Sequence, residues 1–173
     1  MIKTGIWYDV HKLARGKKLV IGGLEIPSKF GSVGHSDGDV LLHAMVDSML
    51  GGSSLGDIGK LFSSEDDKWK NANSMIFLEN VSEKVKSAGF RINHIDSVII
   101  LQKPNLSQYI ITMRSNIANT IKIDKSQISI KATTTDYIGD IGKGNAIAAQ
   151  AITTLENWSW VLIALRLVKL ILD

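Results

Sequence analysis

Asp9 and His11 stand one residue apart in Ile6-Trp7-Tyr8-Asp9-Val10-His11, a stretch that reads as a β-strand. Strand side chains alternate faces, so these two project together. His43 follows thirty-two residues later, within a segment from Asp39 to Asp47 whose helical spacing sets Asp39, His43 and Asp47 on one face. A chain that gathers these three ligand-type side chains has to lay a helix against a strand. One carboxylate and two imidazoles, with a fourth position open, form the donor set of a catalytic rather than a structural zinc site. The same residues also suit a solvated polar strand face and a packed, hydrogen-bonded histidine, and spacing alone does not choose between these readings.

The 173 residues suit one domain with a sizeable core, and 45% hydrophobic with 21% charged residues is ordinary for a globular protein. Twenty basic against 17 acidic residues leave a net charge of +3, spread along the chain. Without a basic block or an aromatic-rich basic stripe, nucleic acid is not an expected partner. The absence of cysteine excludes disulfides and thiolate-based zinc or redox chemistry. The N-terminus runs straight into a strand with no signal segment, so a cytoplasmic location is expected.

Strands and helices intermix along the chain. Lys18 to Pro27 reads as a hairpin around Gly22-Gly23. His35 to Asp39 opens the first long helix, with Ser36 and Asp39 in an S-x-x-D capping pattern. Gly51 to Gly59 reads as a polar loop, and a helix follows from Ala72 to Ala88, stopped by Gly89. Strands are expected over Ile95–Leu101 and Gln127–Thr133, with a helix over Ser107–Ile121. Ala146–Leu155 is divided: its alanines favour a helix, the preceding glycines a strand. The expected architecture is α/β (α+β), a single domain with a mixed four- to five-stranded sheet packed on helices.

Six motifs then occur in order: Tyr8-Asp9-Val10-His11, Ile21-Gly22-Gly23, Gly34-His35-Ser36-Asp37-Gly38-Asp39-Val40 with His43-Ala44, Leu55-Gly56-Asp57-Ile58-Gly59-Lys60-Leu61-Phe62, and Ile130-Lys131-Ala132-Thr133-Thr134-Thr135. Together they resemble the 2-C-methyl-D-erythritol 2,4-cyclodiphosphate synthase family of the non-mevalonate isoprenoid pathway, over roughly residues 4–155. The resemblance implies an intramolecular phosphoryl transfer. In 4-diphosphocytidyl-2-C-methyl-D-erythritol 2-phosphate, the 2-phosphate attacks the β-phosphorus and expels CMP. One anion attacks another, so charge neutralisation and alignment are what the protein supplies.

By the same resemblance, Asp9, His11 and His43 hold Zn²⁺ and reach the substrate through it, while Asp136 serves a second divalent ion, Mg²⁺ or Mn²⁺. His35 and Ser36 meet phosphate at a helix mouth, although Ser36 also reads as an ordinary N-cap. Asp57, with Ile58 and Gly59, grips the methylerythritol hydroxyls. Leu101, Pro104 and Leu106 form a cytosine pocket, and Thr133, Thr134, Thr135 and Asp136 meet the cytidine diphosphate. His35, Asp57 and Thr134 are the catalytic candidates within this set. Asp47 either orients His43 or is a solvated or capping carboxylate. The resemblance further implies a homotrimer with a central cavity and active sites between subunits.

The chain departs from the family in places. Asp136 stands where the family carries Glu, and Asn105 where it often has Lys. Across Gly139–Ala146 the usual aromatic, Arg and Glu are replaced by Asp140, Lys143 and Asn145. Lys143 keeps a charge toward substrate but lacks the guanidinium fork. In the family this segment lines the cavity on the threefold axis. Beyond a catalytic domain at 1–157, residues 158–173 form an apolar and basic extension, too short and too interrupted by Arg166 and Lys169 to span a membrane. As a helix it suits weak contact with a membrane surface, a place packed on the trimer, or an unpacked terminus. Two rival functions use the same ligand set: a zinc phosphohydrolase, and a non-catalytic metal-dependent binding protein.

Overall fold

The computed structural model describes residues 1–157; the expected C-terminal extension at 158–173 lies outside the described residues. Seven strands and five α-helices follow one another in the order β1 (Ile2–Arg15), β2 (Leu19–Ile21), β3 (Leu24–Ile26), β4 (Phe30–Ser32), α1 (Val40–Ser53), α2 (Ile58–Leu61), α3 (Ser74–Ser87), β5 (Phe90–Ile100), α4 (Ile110–Ile121), β6 (Ile128–Thr133), α5 (Gly139–Gly142) and β7 (Ala146–Asn157). A five-stranded sheet has the order β4-β1-β7-β5-β6, and β2 and β3 form a separate hairpin. All pairings in the large sheet are antiparallel except β5 with β6. That parallel pair is joined through α4, as a parallel connection requires. Among the described residues no helix is long and apolar enough to cross a membrane.

β1 is far longer than the expected strand because it pairs with β7 from Ile2 to Lys12, then with β4. Its odd-numbered side chains face the helices, and its even-numbered ones face away. The Ala146–Leu155 segment resolves as strand β7, central in the sheet between β1 and β5. Small side chains there, Ala149 and Ala151 among them, let a helix come close, so tertiary packing overrides alanine's helix propensity.

That helix is α1. Val40, Leu41, Leu42, Ala44, Met45, Val46, Met49 and Leu50 are all fully buried, so it is apolar almost all round, as a core helix must be. It lies on β1 and β7, with α3 along its side. Ser48 ties it to the sheet, accepting from the Thr153 hydroxyl at 2.6 Å and donating to Met45 O at 2.8 Å, so the buried polar atoms are satisfied. At Gly5 the two backbones nearly touch: a Cβ there would lie 1.9 Å from Ser48 O and 2.4 Å from Gly52 N.

Two expectations at the ends of α1 need correcting. Asp39, not Ser36, is the N-cap: its carboxylate accepts from Leu42 N at 3.1 Å and, across the fold, from Gly23 N at 2.8 Å. That second bond anchors the β2–β3 hairpin, whose turn glycines both take positive φ, 60° at Gly22 and 69° at Gly23. The Gly51–Gly59 stretch is not one loop. The helix continues through Ser53 and ends on Ser54 in the left-handed conformation, and a second short helix, α2, begins at Ile58. The buried face of α1 extends that far, and packing outweighs the low helix propensity of Gly51 and Gly52. The expected helices over 72–88 and 107–121 start later, at Ser74 after the Asn73 cap and at Ile110.

Gly5→Ala is expected to destabilise the protein by about 1–3 kcal/mol or more, because the strand cannot retreat without breaking its β7 ladder. Gly51 has open space where a Cβ would go, so Gly51→Ala is expected to stabilise by about 0.5–1 kcal/mol. Urea unfolding of the two variants checks the pair, and equal effects would contradict the close approach.

Candidate metal and nucleotide site

Asp9 and His11 occupy the helix-facing side of β1, and His43 points down from α1 between them. Asp9 Oδ2 lies 2.9 Å from His11 Nε2 and 3.2 Å from His43 Nδ1, and the two ring nitrogens are 3.0 Å apart. Among the described residues these three form the cluster able to hold a metal, their donor atoms all within 4.8 Å of one another. A tetrahedral ion with bonds of about 2.0–2.1 Å has donor–donor edges of about 3.3–3.4 Å, so the triangle needs only slight opening to accept one.

Both imidazoles are braced on their far side. The other nitrogen of His11, Nδ1, lies 3.0 Å from Val33 O, an arrangement that puts a proton on Nδ1 and a lone pair on Nε2. His43 Nε2 lies 3.0 Å from the hydroxyls of both Ser36 and Ser74. Ser74 in turn donates to Asp37 Oδ1 at 2.5 Å, and its backbone N–H donates to Asp37 Oδ2 at 2.9 Å. The motif-based reading missed both roles. Asp37 lay inside a recognised motif without a function, and Ser74 carries no periodicity that links it to a histidine thirty-one residues away. Asp47 shares the helix face with His43, as expected, but does not brace it: its carboxylate accepts from Ile58 N at 2.7 Å and so docks the 57–59 segment on α1.

The electrostatics follow from this crowding. Burial alone would raise the Asp9 carboxyl, but hydrogen bonds and charge from His11 and His43 outweigh it and hold the group well below the usual carboxylate range. Burial opposes charge on His11, yet the Asp9 carboxylate and the Val33 carbonyl outweigh that and raise its affinity for a proton. A cation bound by the triangle would have to displace that proton. Burial pushes Asp39 up to about 6, helped by the neighbouring Asp37 and opposed by its backbone N–H bonds. Asp47 is also pushed up to about 6, first by burial and then by the charges of Asp57 and Asp9.

The remaining expected residues fall into two groups. His35 and Ser36 lie on the loop before α1, and the 57–59 segment is the cap and first turn of α2 just after it. Asn71 N donates to His35 O at 2.8 Å and Asp37 N to Ala72 O at 3.0 Å, which zips the 35–37 loop to the start of α3. Asp57 caps α2, accepting from Lys60 N at 3.0 Å. Phe62 packs on Phe77 with the rings tilted and Trp69 meets it edge-on, with ring centroids 4.5 and 5.5 Å away, and so the two pin the segment between α2 and α3. The second group walls an open groove of about 1170 Å³, lined by Leu101, Pro104, Leu106, Thr133, Thr134 and Lys143 among others. Thr135 and Asp136 are not in its wall. Thr135 donates to Ile138 O at 2.7 Å, closing a turn in which Asp136 and Tyr137 take positive φ, 50° and 66°. Gln102 Oε1 accepts from Tyr137 N at 3.2 Å and joins that turn to the 101–106 segment. The triad does not line the groove, so within one chain the two groups are separate.

Since the folded chain binds the Asp47 proton more tightly than the unfolded chain does, stability falls as pH rises from 3.8 to about 6. Asp47→Asn keeps an acceptor for Ile58 N and removes the charge. The metal-free variant is expected to be more stable than the parent at neutral pH and to lose less stability across that window, Asp39 supplying the remaining slope. Urea unfolding at several pH values checks this, and an unchanged slope would contradict it.

Comparison with known proteins places this geometry. A profile of the YgbB family matches residues 2–156. The protein of Alkaliphilus oremlandii called 2-C-methyl-D-erythritol 2,4-cyclodiphosphate synthase is 49% identical over 154 residues, covering 89% of this chain and 98% of its own. Among solved structures, the bifunctional IspDF of Campylobacter jejuni superposes with a TM-score of 0.87 at 40% identity, over 92% of this chain and 44% of that one. The IspF of Plasmodium falciparum in complex with CDP gives 0.79 at 34% identity, over 90% and 96% of the two chains.

Proposed function

The chain belongs to the YgbB family, and from that premise we propose that it is a 2-C-methyl-D-erythritol 2,4-cyclodiphosphate synthase, a lyase of non-mevalonate isoprenoid synthesis. It converts 4-diphosphocytidyl-2-C-methyl-D-erythritol 2-phosphate to the 2,4-cyclodiphosphate and CMP. One P–O bond forms, from the 2-phosphate oxygen to the β-phosphorus, and one breaks, between the β-phosphorus and the oxygen that leaves with CMP. The observation that carries the reading to this chain is the braced Asp9–His11–His43 triangle, with donor atoms 2.9–3.2 Å apart.

In this reading Asp9, His11 and His43 would hold Zn²⁺, which would supply Lewis acidity and a template toward the β-phosphate. No side chain acts as a nucleophile. His35 and Ser36 receive phosphate oxygens, and Asp57 with the backbone of Ile58 and Gly59 receives the methylerythritol hydroxyls. Leu101, Pro104 and Leu106 enclose the cytosine, while Thr133 and Thr134 meet the diphosphate and Lys143 adds positive charge. Asp136, with Thr135 beside it, would hold Mg²⁺ or Mn²⁺, whose charge would offset that of the phosphates and so lower the cost of anion attacking anion.

The working unit is a homotrimer. The sheet face away from α1 exposes Ile6 and Val10 at 57% and 52%, with Ile2, Tyr8 and Ile152 beside them, an apolar area that a partner surface has to cover. A trimer also supports bringing the triad of one chain to the nucleotide groove of the next, around a central cavity. Residues 1–157 are then the catalytic unit. The family match ends at residue 156, which supports treating 158–173 as lying outside the catalytic unit. A cytoplasmic location accompanies this reading.

Incubation with the cytidine-linked 2-phosphate, Zn²⁺ and Mg²⁺, followed by ³¹P NMR, is expected to show CMP and a cyclic diphosphate together. CMP with linear phosphates would instead mean hydrolysis, and unchanged substrate a binding protein. His43→Ala is expected to lose zinc and turnover together. Truncation after Asn157 is expected to leave trimer mass and turnover unchanged, and loss of either would make the extension part of the core.

A further inference from the structure

We propose that Ser74, held by Asp37, is a positioning residue that fixes the tautomer of His43 and so presents its Nδ1 lone pair to the metal. The inference rests on the metal reading above and concerns residues that do not touch the ion. His43 Nδ1 faces Asp9 and His11, and its Nε2 faces the Ser36 and Ser74 hydroxyls. A neutral imidazole carries one N–H, and only with that proton on Nε2 is Nδ1 a ligand. A hydroxyl beside Nε2 can enforce the wrong state as easily as the right one, by donating to Nε2 and leaving the proton on Nδ1.

Ser74 lacks that freedom. Its own proton is directed to Asp37 Oδ1 at 2.5 Å, while the other oxygen of that carboxylate takes the Ser74 backbone N–H at 2.9 Å. The residue is fully buried, so water offers no alternative partner. Toward His43 the Ser74 oxygen is therefore an acceptor, and the shared proton sits on Nε2. Asp37 is itself fixed, its backbone N–H bonded to Ala72 O at 3.0 Å. Ser36, equally close to His43, bonds no carboxylate. With the Ser74 proton taken by Asp37, the Ser36 hydroxyl is the donor in its 3.4 Å contact with the Ser74 oxygen, and a phosphate oxygen would compete for that proton. Two serines on one imidazole thus divide the work, and the carboxylate decides which does what.

The test is Zn²⁺ affinity by chelator competition, together with ¹⁵N NMR of the ring nitrogens in metal-free protein at mildly alkaline pH. Asp9, 3.2 Å away, competes for a proton on Nδ1, so the parent is expected to hold a larger share of His43 with its proton on Nε2 than Ser74→Ala does. Ser74→Ala is expected to weaken Zn²⁺ binding about 10–100-fold and to mix the tautomers. Asp37→Asn is expected to shift both in the same direction by less, and Ser74→Thr to restore both. A folded Ser74→Ala variant with parental affinity and tautomer would overturn the proposal. If that variant does not fold, parental values in Asp37→Asn overturn it. Failure of the metal reading has a different signature: no Zn²⁺ binding by the parent, or undiminished binding by His43→Ala. In that case the metal-free tautomer measurement still decides the role of Ser74.

Discussion

The contact of α1 with β1 is the constraint on which the rest of the structure depends. At Gly5 the strand comes so near the helix that a single methyl group would overlap Ser48 O and Gly52 N. That separation brings His43 down to Asp9 and His11. Without it the sheet would still pair, but the donor triangle would be open by far more than a metal–ligand bond tolerates. The alanines of β7 serve the same end from the neighbouring strand, since a helix this close to a sheet needs small side chains beneath it.

Much of this was legible in the sequence, for reasons that can be named. Alternation in β1 and helical spacing around His43 are local periodicities, and they put the three donors on facing surfaces correctly. The Gly-Gly hairpin was legible because both turn residues need positive φ. What failed was what depends on rotamers or on distant partners. Asp47 lies on the expected face of α1, but a face does not determine where a carboxylate turns, and Ile58 N claims it. Ser36 had the right spacing for a cap, yet Asp39 wins because it satisfies Leu42 and the hairpin at once. Asp37, in the loop before α1, meets Ser74, the first residue of α3, and no linear pattern records that meeting. β7 was undecidable from propensity because its strand state is imposed by both neighbours in the sheet.

The two halves of the site differ in build. The metal half sits at the junction of the longest strand and the most buried helix, with each imidazole braced from behind, so its geometry is preorganised. The nucleotide half is an open groove walled by residues of β1, β4 and β6 together with loops, and beside it lies a turn with two non-glycine residues at positive φ that Gln102 joins to the 101–106 segment. Under the proposed function, the rigid half is where charge must be placed to a fraction of an ångström, and the adaptable half is where a base and a sugar would be received. The departures from the family at Asp136 and across 140–145 all lie on or beside the adaptable half, and none touches the triad.

Helix α1 also carries a register requirement. Asp39, His43 and Asp47 lie one turn apart, and each serves a different client: the β2–β3 hairpin, the donor triangle and the 57–59 segment. An inserted or deleted residue between Asp39 and Asp47 rotates one end of the helix against the other by about 100°. The three clients would then be out of phase simultaneously, and no single compensating substitution would return all of them. Length variation in descendants of this chain is therefore confined to the loops before Asp39 and after Ser54, while the eight-residue interval between the first and last of these carboxylates stays constant.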